Sequence, residues 1–184
     1  MIEVRPGGRR RIDRVLAASF VDGLDRLPLD DVRARRDEAA QEETDLSYVR
    51  QLLHGRIDIV LAEQHRRSEG GEAPVISELA RILATGAVGP ATGSGRYHTV
   101  EPSRAESHRR HVEALVSDVD LSDVASLSAE QLTAALAAYR AEAESASRRR
   151  REVQQVIDRC NAEIGSRYAV GTASVDDLLA DEAR

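Results

Sequence analysis

Ser47, Arg50, His54 and Asp58 recur one hundred residues further on as Ser147, Arg150, Gln154 and Asp158. Both sets follow the pattern Ser-x2-Arg-x3-(His/Gln)-x3-Asp. Spacings of three and four stack side chains on one face of a helix. Each copy is therefore a strip carrying a hydroxyl, a guanidinium, a hydrogen-bonding ring or amide, and a carboxylate. Glu43 joins the first strip within an arc of roughly 80°, at about 100° per residue. A guanine base fits this chemistry. Its O6 and N7 accept the fork of an arginine, and its N1–H and N2–H donate to a carboxylate in a way adenine cannot match. The same guanidinium can instead hold a phosphate bidentately, with Ser, His or Gln completing either set of bonds. Two strips brought together by a chain that folds back would suit a ligand with two guanines and two phosphates about a two-fold axis. A solvated helix flank laced with weak ion pairs uses the same residue types. A duplicated helix that has diverged slowly would also keep them.

The elements that must carry these strips are helical. Val32, Ala39, Leu46, Leu53 and Val60 recur at intervals of seven, with Val49 and Ile57 filling the stripe. That is a coiled-coil seam, and the polar strip lies beside it. A second long helix carries Leu132, Leu136, Tyr139, Ala146, Val153, Ile157 and Ile164 on its buried side. Pro28 with Asp30 and Asp31 opens the first helix. Ser128 and Gln131, at capping-box spacing, open the second. The repeat extends beyond the motif, since Leu24 matches Val124, Leu27 matches Leu127 and Val32 matches Leu132. The expected fold is all-α: a long antiparallel coiled-coil hairpin with short accessory helices. Its expected parts are an N-terminal tail and short amphipathic helix over 1–26, a first coiled-coil helix over 27–68, and a connector over 69–126. A second coiled-coil helix over 127–165 and a C-terminal tail over 166–184 complete it. Within the connector, Pro74–Thr85 and Ala105–Leu115 read as short helices, and 86–103 as a flexible loop. Residues 175–179 can form one last short helix.

Composition narrows the function classes. Among 184 residues only 3% are aromatic, with no Trp and one Phe, so a bulky globular core is not expected. The formal charge of −6 argues against direct DNA binding by the whole chain. Every basic side chain is Arg, with short basic runs at 9–14 and 148–151. The single Cys160 excludes an intrachain disulfide and suits a reducing compartment, as a small buried hydrophobe. No apolar run approaches the ~20 residues of a membrane span, nor is there a signal-peptide core. A cytoplasmic protein is expected. His108 and His111 lack acidic or thiol partners nearby in sequence for a metal site. Gly89–Gly95 lacks the Lys-Ser/Thr of a phosphate-binding loop. Asp58 and Asp158 could be imagined as a catalytic pair, but a coiled-coil flank encloses them poorly. Binding rather than catalysis is the expectation, with no metal and no cofactor.

The run from Glu43 to Asp58 closely resembles the signature of the RsiG family of actinobacterial anti-sigma factors. That signature is Glu-x3-Ser-x2-Arg-x3-Gln-x3-Asp, written once on each helix of an antiparallel coiled coil. The resemblance implies that cyclic-di-GMP binds between the helices, as two molecules. It also implies a WhiG-type sporulation sigma factor as partner, sequestered by the loaded protein so that late development is blocked. Carried over residue by residue, the ligand contacts are Glu43, Ser47, Arg50, His54, Asp58, Ser147, Arg150, Gln154 and Asp158. Two positions depart from the pattern. His54 stands where the signature has Gln. Ala143 stands where a second Glu belongs, and the neighbouring Glu144 points about 100° away. Arg148, Arg149 and Arg151 are either further phosphate contacts or a solvated charge run. For the sigma factor, Ile12, Leu16 and Phe20 are candidate contacts, and packing against the hairpin's own base is the equal alternative. The rival to a ligand-controlled anti-sigma factor is a constitutive coiled-coil adaptor whose strips bind nothing.

Overall fold

The computed structural model describes residues 2–68, 70 and 121–171. Every regular element among them is helical. The expected short helices over 74–85, 105–115 and 175–179, the loop over 86–103, and His108 and His111 lie outside the described residues.

The N-terminal segment departs from the single helix that its spacing predicts. Only Arg11–Val15 (α1) is α-helical, followed by 3₁₀ turns at Ala18–Phe20 and Leu24–Arg26. Five residues are too few to stabilise an isolated helix, and Gly23 takes a left-handed conformation at φ 66° that a continuing helix cannot use. The segment is held by side chains instead. Asp13, 3% exposed, accepts hydrogen bonds from the Arg5 and Arg10 backbone N–H groups and from Nε and NH2 of Arg10.

Two long helices follow, α2 (Leu29–Ser68) and α3 (Ala129–Ala169). At the start of α2 the Pro28 carbonyl accepts from the amides of Asp31 and Val32, with Asp30 and Asp31 in the first turn. These acids suit the positive end of the helix. The capping box expected at α3 closes in both directions. The Gln131 amide donates to Ser128 Oγ at 3.1 Å, and the Ser128 amide donates to Gln131 Oε1 at 2.7 Å. Gly165 does not end α3, which continues to Ala169.

The buried seam of α2 is the one its heptads predict: Val32, Ala39, Leu46, Leu53 and Val60 are each 0% exposed, flanked by buried Val49 and Ile57. On α3, Leu132, Leu136, Tyr139, Ala146 and Val153 are buried as expected. Val156 and Cys160 are buried where Ile157 and Ile164 are only half-buried, so the seam turns slightly along the helix. Burial pushes the Cys160 thiol pKa up, against the opposing pull of the Arg35 and Arg36 charges. The seam also buries Glu42, Asp45 and Glu142.

The chain divides into two compact units. One comprises Asp45–Ser147, where the second half of α2 packs on the first half of α3. The other comprises Ile2–Thr44 with Arg148–Arg184. In it Leu24 and Val32 pack on Cys160, with Val21, Leu27 and Ile164 around them. In each unit α2 and α3 run antiparallel, the pairing of a helical hairpin. Early α2 meets late α3 through Arg33 and Tyr168. Late α2 meets the approach to α3 through Arg67 and the Ala125 carbonyl.

Candidate functional site

The motif residues fall on the flanks of the buried seam, as 3–4 spacing beside a heptad stripe requires. Glu43, Ser47, Asp58, Ser147 and Arg150 are half-buried, whereas Arg50, His54, Gln154 and Asp158 are exposed. All nine are thus accessible to a ligand, and none is lost into the core.

The unit comprising Ile2–Thr44 and Arg148–Arg184 contains Glu43, Arg150, Gln154 and Asp158. Here the strip is internally bonded. Arg150 NH1 reaches across from α3 to α2 and donates to Glu43 Oε1 at 3.0 Å. Arg150 Nε is buried with no hydrogen-bond partner among the described residues. One helical turn further on, Gln154 Nε2 donates to Asp158 Oδ1 at 3.1 Å. That bond orients the amide and leaves the second carboxylate oxygen available.

The unit Asp45–Ser147 contains Ser47, Arg50, His54, Asp58 and Ser147. Both serines are engaged in further polar contacts. The side chains of Arg50, His54 and Asp58 make no hydrogen bond or ion pair among the described residues. The position equivalent to Glu43 is Ala143, 5% exposed, which has no group to offer a guanidinium. The two copies are alike in sequence and unlike in bonding.

Of the neighbouring arginines, Arg149 is occupied: it donates to the Ile2 carbonyl at 3.1 Å and to Glu152 at 2.8 Å. Arg148 and Arg151 are exposed. The three candidate sigma contacts separate. Ile12 is 0% exposed within its own unit. Leu16 is half-buried and lines a groove of about 350 Å³ with Val15, Val21, Val156, Arg149 and Arg159. Phe20 is half-buried beneath Arg35, whose guanidinium carbon lies 5.6 Å from the ring centre. Arg35 also donates to the Phe20 carbonyl at 2.5 Å.

A second duplicated constellation escaped the sequence reading. Near the end of α2, Glu63 accepts from Arg66 and Arg67, and Arg67 donates to the Ala125 carbonyl at 3.0 Å. Near the end of α3, Glu163 accepts from Arg167, which donates to the carbonyls of Leu24 at 2.6 Å and Leu27 at 2.7 Å. The signal was present: Glu63 and Glu163, and Arg67 and Arg167, stand at the motif's own offset of one hundred. Each clasp ties a helix C-terminus to the 3₁₀ turn that precedes the other long helix in that unit. Hydrogen bonding from Arg66, with help from Arg67, holds the Glu63 carboxyl at about 2 despite the opposing effect of burial.

Among the described residues no group of three or more His, Cys, Asp or Glu side chains could hold a metal ion. No helix there is long and apolar enough to cross a membrane. No curated protein matches the chain. A family model described as RsiG-like matches residues 18–83 and 118–182, more than half the chain, in two segments whose starts share the offset of the repeat. The chain belongs to the RsiG-like family, which is not a known enzyme family, and membership points to an anti-sigma factor role with a sigma factor as partner.

Proposed function

We propose that the protein is a cytoplasmic, cyclic-di-GMP-controlled anti-sigma factor. Two molecules of the dinucleotide bind between α2 and α3 through Glu43, Ser47, Arg50, His54, Asp58, Ser147, Arg150, Gln154 and Asp158. The arginines meet O6 and N7 of guanine or the phosphates, and Asp58 and Asp158 accept from N1–H and N2–H. The loaded protein then sequesters a WhiG-type sporulation sigma factor stoichiometrically, without catalysis, and late developmental genes stay silent. The dinucleotide controls this only if it binds the sigma-gripping state more tightly than the other; tight binding alone shifts nothing.

The observation that carries the reading is the accessibility of both strips beside a buried seam, with Arg150 held across the helix pair by Glu43. Calorimetry with cyclic-di-GMP tests it. Saturable binding that is weakened by Arg50→Ala and by Arg150→Ala is expected. Absence of heat and of any thermal shift at high ligand would remove the ligand from the proposal.

One observation favours the constitutive adaptor: Arg150 with Glu43, and Gln154 with Asp158, satisfy one another as a solvated face would. Capture of the sigma factor in pull-downs with and without cyclic-di-GMP separates the two. Equal capture in both favours the adaptor.

A further inference from the structure

The duplicated motif places chemically equivalent arginines at 50 and 150, yet their surroundings differ. Arg150 is anchored by Glu43 at 3.0 Å. Beside it, Gln154 and Asp158 fix each other's rotamers at 3.1 Å. In the other unit Ala143 occupies the position that a carboxylate equivalent to Glu43 would take. There the side chains of Arg50, His54 and Asp58 make no hydrogen bond or ion pair among the described residues, and Arg50 and His54 are exposed. Three long or jointed side chains must be immobilised when a ligand arrives, and each immobilisation subtracts from affinity. At the Arg150 cluster much of that ordering is already done, and Asp158 keeps one carboxylate oxygen for a ligand donor.

Resting on the cyclic-di-GMP reading above, we propose that the two motif clusters are unequal. The Arg150 cluster, pre-ordered by Glu43 and by the Gln154–Asp158 bond, is the strong contact. The Arg50 cluster, where Ala143 replaces the ordering carboxylate, is the weak one. Glu43 is accordingly a positioning residue that acts through Arg150, and the substitution at 143 sets the inequality. A carboxylate beside a guanidinium also lowers its net attraction for a phosphate. Ordering outweighs that loss here because Glu43 engages the fork through NH1.

The test compares single arginine substitutions in three backgrounds, with cyclic-di-GMP as the titrant and calorimetry as the readout. In the otherwise unaltered chain, Arg150→Ala is expected to weaken binding about tenfold more than Arg50→Ala, the scale set by ordering a few side chains. Adding Ala143→Glu should raise overall affinity and bring the two losses together, because Arg50 gains its anchor. Replacing Glu43 by Ala should also bring them together, this time by lowering overall affinity. Glu43→Gln, which keeps a hydrogen-bond acceptor for Arg150, should restore part of the difference. The side chains at 43 and 150 are half-buried, that at 50 is exposed and that at 143 is buried, so helix content by circular dichroism confirms folding of each variant before titration. Equal losses from Arg50→Ala and Arg150→Ala in the unaltered chain would overturn the inequality while leaving dinucleotide binding intact. An unequal loss that ignores both Ala143→Glu and Glu43→Ala would overturn the role assigned to Glu43. No binding by the unaltered chain would remove the ligand reading itself, and the inequality with it.

Discussion

Single residues decide how acid and burial act on this protein. Hydrogen bonds from the Arg10 guanidinium hold the Asp13 carboxyl down to about 2, against the upward push of burial, and the Arg5 amide adds to them. Its ordinary value is 3.8, and that of Glu63, also held at about 2, is 4.5. A lowered folded-state pKa means the unfolded chain takes up protons first as the pH falls. The stabilisation is therefore complete above about pH 5 and is lost progressively down to about pH 2. For Asp13 it is on the order of 1–2 kcal/mol, allowing for solvent around the half-buried Arg10. Asp13→Asn should lower the melting temperature near neutral pH, and the gap to the unaltered protein should close by about pH 2. A gap independent of pH would mean that shape, not charge, holds the N-terminal segment. Gly8 belongs to the same arrangement: a Cβ there would collide with the Asp13 carboxylate. Tyr139 makes the opposite case. It is 0% exposed, its hydroxyl has no hydrogen-bond partner among the described residues, and desolvation pushes its pKa up. Removing an unsatisfied buried polar group is neutral or favourable, so Tyr139→Phe should leave stability unchanged or raise it by up to ~1 kcal/mol in thermal or urea unfolding. A clear loss would place an unseen acceptor beside the hydroxyl.

At the scale of elements, the twin clasps tie the last turns of α2 and α3 to the 3₁₀ turn that precedes the other long helix. Arg167, only 15% exposed at its side chain, gives two bonds to backbone carbonyls and one to Glu163. Charged hydrogen bonds of this kind are worth about 1.5–3 kcal/mol. Arg167→Ala should cost about that much, and Arg167→Lys should recover little, since an ammonium cannot match the fork. Arg67→Ala should cost less, because Arg67 NH2 reaches the Val124 carbonyl only at 3.4 Å and its side chain is 30% exposed. Chemical denaturation of the three variants orders them, and a larger loss at Arg67 would reverse this ranking. These elements also mark what sequence could reveal. The heptad from Val32 to Val60 was legible because apolar periodicity reports burial directly, and the box at Ser128 and Gln131 because capping is local. The clasps were not, since an Arg aimed at a carbonyl many residues away leaves no periodic trace. The N-terminal segment misled for the reverse reason. Ile12, Val15 and Leu24 have helical spacing and are buried, but Ile12 and Val15 share α1 while Leu24 lies in a separate 3₁₀ turn beyond Gly23. Buried Glu42 and Asp45 broke the expectation of an apolar seam. For Glu42, Arg11 stands 3.9 Å away and offsets part of the cost of burial.

For the whole molecule, charge sets the first condition on the proposed ligand. The protein carries −6 and cyclic-di-GMP is itself an anion, so attraction must come from the local arginines against the overall field. The residue types of the motif were legible in the sequence, but the difference in their bonding was not. It depends on which groups meet across the helix pair, and at 143 an alanine is merely one more buried small residue. The second condition is thermodynamic and tests the regulatory reading without any detail of the sigma surface. Should cyclic-di-GMP raise the affinity for the sigma factor by some factor, the sigma factor must raise the affinity for cyclic-di-GMP by the same factor. A hundredfold effect corresponds to about 2.7 kcal/mol of coupling. Titrating cyclic-di-GMP into the protein alone and into the protein saturated with sigma factor measures one side of this cycle. Titrating sigma factor with and without saturating dinucleotide measures the other. The two ratios should agree and should exceed about five, and both should fall toward one in the Arg50→Ala/Arg150→Ala double variant. Tight dinucleotide binding with both ratios equal to one in the unaltered protein would make the ligand a passenger, and the sigma factor would then be held independently of it.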